Sequence, residues 1–295
     1  MITLFGIPIQ ALLGQLLLGL VNGSFYAILS LGLAIIFGLL NVINFTHGAL
    51  YMMGAFVAWM GLSYLGLNYW VMLLLAPIVV GAIGMLLEKT LLKPIAKLDH
   101  LYGLLLTFGL AMLIEGLFRS FYGVSGHPYP PPAGLDGVAN LGFMFLPIYR
   151  GWIVVASLSV CLATWYVVER TRLGSLLRAA TENPKLVEAF GVNVPRMITL
   201  TYGFGVLLAG FAGVLAAPVL DVSPLMGSDL IIVVFAVVVI GGMGSIMGSI
   251  VTGLGLGVIE GFTKVFWPEA STTVVFIIMG IVLVLRPAGL FGKEK

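Results

Sequence analysis

Apolar residues run through this chain in long unbroken stretches, with polar positions gathered between them. Nine stretches stand out, at about 9–38, 46–65, 69–88, 101–120, 151–169, 197–217, 229–243, 246–263 and 273–286. Most are near the roughly 20 residues that a helix rising 1.5 Å per residue needs to cross about 30 Å of hydrocarbon. A transmembrane barrel would show alternation over segments of about 10 residues. Leu101–Leu117 and Ile231–Ile240 are continuous instead. The pattern predicts an all-α integral membrane protein, a polytopic bundle of eight to ten spans with broken or short helices. The count is a range because the first stretch is too long for one straight span. It contains Asn22-Gly23, so two short helices or one broken helix are expected there. Met1–Leu20 has no basic leader and no small-residue cleavage site, and reads as a retained first span.

Charge sharpens the picture. Asp, Glu, Lys and Arg make up 9% of the 295 residues, against about 25% in soluble domains, and hydrophobic residues make up 60%. The first of these charges is Glu88. Of the 14 basic residues, 11 fall in three segments that the spans place on one side: Lys89, Lys93 and Lys97; Arg170, Arg172, Arg178, Lys185 and Arg196; and Arg286, Lys293 and Lys295. By the positive-inside rule that side is cytoplasmic. The Pro-rich loop 121–149 then faces outward and the loop 170–196 inward, within a single transmembrane domain covering 1–295.

Several chemistries are excluded. The chain has no G-x-x-x-x-G-K-[ST] phosphate loop, its only Gly-Lys pair being Gly292-Lys293. The three histidines lie far apart, and a single cysteine, Cys161, rules out a disulfide framework or a cysteine-based metal cluster. No catalytic residues, bound metal or cofactor are expected. The net charge of +2 gives no reason to invoke nucleic acid, since the cations sit beside membrane spans.

The inner loop is the most informative segment. Asn183 suits an N-cap, Pro184 a first helical position and Gly191 a C′ position, so a helix of about two turns is expected over Pro184–Phe190. A helix that short is unstable alone and must pack on something. Leu186, Ala189 and Phe190 form its apolar side, with Lys185 and Glu188 elsewhere. Such a helix suits insertion into a groove of a partner protein or, alternatively, a place on the lipid interface.

At these residues the chain resembles a family. Arg178, Glu182 and the run Asn183–Gly191, followed by Pro195 and Gly203–Leu215, are similar to the cytoplasmic coupling segment of ABC-importer permeases, and more narrowly of the branched-chain amino acid permeases of LivH type. Asn41-Val-Ile-Asn44-Phe-Thr46-His47-Gly48 is similar to that family's Asn-x-x-His-Gly signature, and Gly241-Gly242-Met243-Gly244-Ser245 to its Gly-Gly-x-Gly-Ser segment. The sequence departs from the pattern at Ala49, where many relatives carry Glu, and at Thr46, where Ala is frequent. The resemblance implies a permease subunit of the bacterial inner membrane with no ATPase site of its own. It also implies a second permease subunit, two cytoplasmic ATPases that use the ATP, a periplasmic binding protein, and a small-molecule substrate. Branched-chain or other hydrophobic amino acids lead, with urea, short amides or aromatic acids as alternatives. A stand-alone secondary transporter or channel is the competing class; it would call for ionisable residues in mid-span, and nearly all charges here lie at span ends.

Three further groups are candidates. Asn22, Asn41, Asn44, Thr46 and His47 form a polar cluster in an uncharged third of the chain. They either line the translocation path or make a cytoplasmic turn that caps the next helix, and their place near the inner face favours the turn. Gly241, Ser245, Ser249, Gly253, Gly257 and Gly261, and separately Gly205, Ala209 and Gly213, recur every fourth position and predict stripes for close helix packing. Glu115 with Arg119, and Glu260 with Lys264, are spaced for i,i+4 ion pairs near outer span ends, as anchors or as docking points for a binding protein.

Overall fold

The structure is a computed structural model, and it describes residues 3–4, 7–40, 43–96 and 98–292. Twelve α-helices are assigned among them: α1 Ile9–Leu40, α2 Thr46–Leu65, α3 Tyr69–Leu87, α4 Lys93–Ile95, α5 His100–Tyr122, α6 Ile148–Arg170, α7 Arg172–Glu182, α8 Pro184–Ala189, α9 Val194–Ala216, α10 Met226–Gly241, α11 Ile246–Phe266 and α12 Val274–Leu285. Seven are long and apolar enough to cross a membrane, and α10 and α12 are shorter apolar helices. A helix satisfies its own backbone hydrogen bonds, which lipid cannot do, so the apolar stretches take this form. The protein is a multi-pass helical membrane protein.

The first stretch corrects the expectation of a break. It is one continuous helix of 32 residues, and Asn22 and Gly23 both lie inside it. At 1.5 Å per residue it is about 48 Å long, which a bilayer accommodates by tilt. Gly23 is there for close packing: a Cβ at this position would come within 3.0 Å of the Leu254 backbone on α11.

That contact belongs to the seam on which the bundle is built. Ser249, Gly253, Gly257 and Gly261 of α11 lie along α1, with Ser30 donating to the Ser249 carbonyl at 3.2 Å. A Cβ on Gly253 would sit 2.6 Å from the Ala27 nitrogen, and one on Gly19 2.6 Å from the Gly257 carbonyl oxygen. The predicted six-residue stripe is therefore two pieces. Gly241 ends α10, Gly242 and Gly244 turn the chain at φ 98° and 84°, and Ser245 caps α11 by accepting from Gly248 N at 3.1 Å. Gly241 still packs on α11, where a Cβ would meet the Gly248 carbonyl at 2.7 Å, while the positive φ of Gly242 and Gly244 makes the turn. The second stripe holds: Gly205 faces Gly32 and Ile36 of α1, and Gly213 faces Tyr51 and Ala55 of α2.

The outer loop also differs from a plain loop. Val138–Asn140 (β3) pairs antiparallel with Phe145–Pro147 (β4), following a short antiparallel pair of Thr3–Leu4 (β1) with Ile7–Pro8 (β2). His127 and Val222 exchange backbone hydrogen bonds of 2.9 Å, which pins the loop to the link between α9 and α10. Beneath it the Tyr149 hydroxyl donates to the Leu215 carbonyl at 3.0 Å. It also lies 3.1 Å from the Tyr69 hydroxyl, which accepts from the Trp152 indole at 3.0 Å. Burial pushes the Tyr129 phenol in this cluster up to about 12, so it stays neutral. These contacts place the α2–α3 turn, the loop after α5 and the end of α9 on one side. The basic ends of α3 and α6 and the start of α9 lie on the other.

The expected pair Glu115–Arg119 does not form. Among the described residues the only ion pairs are Arg178–Glu169 and Lys264–Glu260. Arg119 is exposed on α5, where water or headgroups satisfy it without a partner. Glu260 is more than a surface anchor. It is buried between α11 and α1, accepts from Lys264 at 2.7 Å, and receives the Tyr26 hydroxyl at 2.7 Å.

Candidate functional site

Two places combine chemistry-bearing residues: the start of α2, deep in the bundle, and the helices α7–α8 on the inner face.

The depth of the first follows from three contacts. Gly205, the midpoint of α9, packs on Gly32, with a Cβ there meeting the Gly32 carbonyl oxygen at 2.8 Å. His47 lies against Gly32 and has Nε2 3.1 Å from the Leu29 carbonyl. Gly48, next along, backs onto Gly227 at the start of α10, where a Cβ would come 2.7 Å from the Gly227 carbonyl oxygen. The first turns of α2 and α10 therefore meet near the middle of the membrane. Asn44, just before α2, is buried and borders a pocket that it shares with Leu92, Ile95, His100 and Thr107 toward the inner ends of the neighbouring helices.

The polar side chains around the start of α2 are buried and engaged with other helices. Asn44 Nδ2 donates to the Tyr202 hydroxyl at 2.9 Å, and Thr46 Oγ1 donates to the Thr107 carbonyl at 2.9 Å. Thr107 Oγ1 lies 3.1 Å from the Ile43 carbonyl and 3.3 Å from Phe45 N. This corrects the capping expectation, because the N-cap of α2 is Phe45 and no side chain caps it. The three residues instead tie α1, α2, α5 and α9 together. Asn22 is not part of the cluster; it lies half-buried seven residues before Leu29 on α1, and Asn41 lies outside the described residues. Since Nε2 donates to Leu29, His47 Nδ1 is an acceptor, and it has no partner; neither has the Tyr51 hydroxyl one turn on. Both side chains are fully buried and line a small void with Gly48, Gly227, Leu230 and Val234.

The inner site is larger than its sequence signal. α8 is present, with Asn183 Oδ1 accepting from Leu186 N at 3.1 Å and Gly191 at φ 83°, but it ends at Ala189. Before it stands α7, eleven residues in what the sequence predicts as an inner loop. Arg178 fixes α7 to the end of α6, donating to the Val168 carbonyl at 3.0 Å and to Glu169 at 3.3 Å. Gly174 allows the sharp α6–α7 corner, because a Cβ there would collide with the Val168 carbonyl. The helix pair is held to α9 by a small cluster of Ala180, Val187 and Val194. Val187 is the residue of α8 that packs on α9, which leaves the apolar side of Leu186, Ala189 and Phe190 uncovered among the described residues. Those three, with Glu182, Lys185 and Glu188, are exposed, Phe190 by 79%. At the neighbouring end of α3 a π-helical turn, Glu88–Leu92, buries Glu88, which receives the Thr199 hydroxyl at 2.6 Å.

Comparison with known proteins settles the class. Residues 15–285 match the family described as branched-chain amino acid transport system, permease component. The chain belongs to that family. It is 30% identical to the high-affinity branched-chain amino acid transport system permease protein BraD of Pseudomonas aeruginosa, over 96% of each chain. It is 28% identical to the corresponding LivH protein of Escherichia coli, again over 96% of each. A 28% identity to Escherichia coli LivM covers 92% of this permease but 68% of LivM. No solved structure matches. These relatives are transport permease components and not enzymes.

Tyr202, Thr107 and Tyr51 belong to the first site, and nothing in the sequence singles them out. A tyrosine in an apolar stretch, such as Tyr202, is the kind of signal that marks a buried polar tie.

Proposed function

We propose that this chain is the transmembrane permease subunit of an ABC importer for branched-chain or other hydrophobic amino acids. With a second permease it forms the translocation path. A periplasmic binding protein delivers the substrate, and two cytoplasmic ATPases supply the work. The chain itself needs no cofactor and performs no chemistry on its cargo.

The observation that carries this reading is the exposed apolar end of α8. Val187 seats the helix pair on α9, while Phe190 and Leu186 are presented to the inner side with none of the described residues covering them. An aromatic residue so placed on a short, capped helix fits a groove in a partner. Arg178 and Gly174 join α7 to α6, and Ala180 and Val187 pack with Val194 of α9, so a push on the helix pair is passed to two spans. Alternating access then consists of rigid-body shifts in which each state is favoured by its own contacts. The names of the relatives support the amino-acid cargo.

The test is reconstitution. The isolated chain in liposomes hydrolyses no ATP and moves no leucine. Combined with the other four components, it imports leucine, isoleucine or valine when ATP is supplied inside. Uptake by the chain alone under an ion gradient would overturn the reading in favour of a secondary transporter. ATP-driven uptake of urea or short amides in place of leucine would overturn the cargo.

A further inference from the structure

Asp229 is the one charged residue between Asp221 and Glu260, and it lies in the first turn of α10. By sequence it marks the edge of a span. The packing of Gly48 on Gly227 puts that turn near the membrane middle, level with His47, Leu29 and the centre of α9. Gly227, Ile231 and Val234 face inward and are buried, whereas Ser228, Asp229 and Ile232 are exposed on the opposite side of the helix. Among the described residues Asp229 makes no ion pair.

An exposed carboxylate at this depth cannot be left in lipid. Insertion scales put its cost near the bilayer centre at about 2.5–3.5 kcal/mol, so such groups face water or a partner inside the protein. The positive end of the α10 dipole favours an anion at this position but supplies no solvent on its exposed side. The outward face of α10 must therefore border an aqueous or protein-lined space. Discontinuous helices that start at mid-depth are the usual way a membrane protein brings polar groups to a transported solute.

We propose that Asp229 lines the translocation path and binds the ammonium group of a zwitterionic amino acid as it passes, with Ser228 and Ile232 on the same wall. This rests on the permease reading and adds a substrate-contacting residue to it. A single carboxylate suits the task because it attracts the ammonium while the aliphatic side chain of the cargo slides along apolar wall residues.

Two measurements test it in the assembled transporter. Asp229→Asn lowers leucine uptake about tenfold or more, the size of one charge-assisted hydrogen bond lost from a desolvated site, while ATP hydrolysis stimulated by the binding protein stays within about twofold. Asp229→Glu, which keeps the charge, restores most of the uptake. In a Cys161→Ser background, Asp229→Cys reacts with a charged methanethiosulfonate reagent. Met112→Cys, on the exposed face of α5, does not react. The proposal fails if Asp229→Asn imports normally, if hydrolysis falls in parallel with uptake, or if Asp229→Cys is as inert as Met112→Cys. If the unmodified complex hydrolyses ATP but imports no amino acid, the proposed cargo is wrong, and the labelling still decides whether the face of α10 is wet.

Discussion

Phe190→Asp abolishes uptake, by more than about a hundredfold, and prevents the ATPase from co-purifying with the permease, while the permease itself remains folded. The side chain is 79% exposed and belongs to none of the buried clusters, so its loss costs the isolated subunit no more than about 0.5 kcal/mol. An aromatic anchor at a protein interface is worth about 2–4 kcal/mol or more, and each 1.4 kcal/mol is tenfold in affinity. A carboxylate at the same place adds the desolvation cost of a charge in an apolar pocket. The outcome is read by uptake, by pull-down of the complex and by thermal melting of the purified subunit. Normal pull-down with Phe190→Asp would show that α8 lies on the lipid interface instead.

Gly257→Val prevents the subunit from reaching its folded state. A Cβ at 257 would overlap the Gly23 backbone and stand 2.5 Å from the Gly19 carbonyl oxygen, so α1 and α11 would have to separate along their whole seam. Separation breaks the Ser30–Ser249 bond and the Tyr26–Glu260–Lys264 cluster, both of which cross or border that seam. Overpacking of a core usually costs about 1–3 kcal/mol, and here both obstacles are backbone that no rotamer change can relieve, so about 3 kcal/mol or more is expected. Gly255→Val is the matched control. It lies two residues away on α11 with open space at its Cβ position, and it melts like the parent protein. Equal yields and melting temperatures for the two variants would show that the seam is not close-packed.

The contrast between those two glycines shows what the sequence discloses. Spacing of four identified the α11 stripe, because helical periodicity and residue size are both local properties. The same holds for the positions of the apolar helices, most of whose ends fall within a few residues of expectation, and for the Asn183 cap. Depth is not local. Nothing in the order of residues says that Gly48 meets Gly227, so Asp229 reads from sequence as the edge of a span. α7 was missed for a related reason: its polarity made it look like loop, and it is stabilised as a helix by its ties to α6 and α9. The apparent break at Asn22-Gly23 erred in the other direction. Glycine is a helix breaker in water, but in lipid it serves close approach, and the unbroken α1 is the result.

The most direct test of a subunit driven from its inner face is photocrosslinking at the tip of the lever. With benzoylphenylalanine in place of Phe190, irradiation of membranes carrying the whole transporter is expected to give one adduct, of a mass equal to this chain plus one ATPase subunit. Adducts to lipid alone, or to the binding protein on the outer side, would contradict the account.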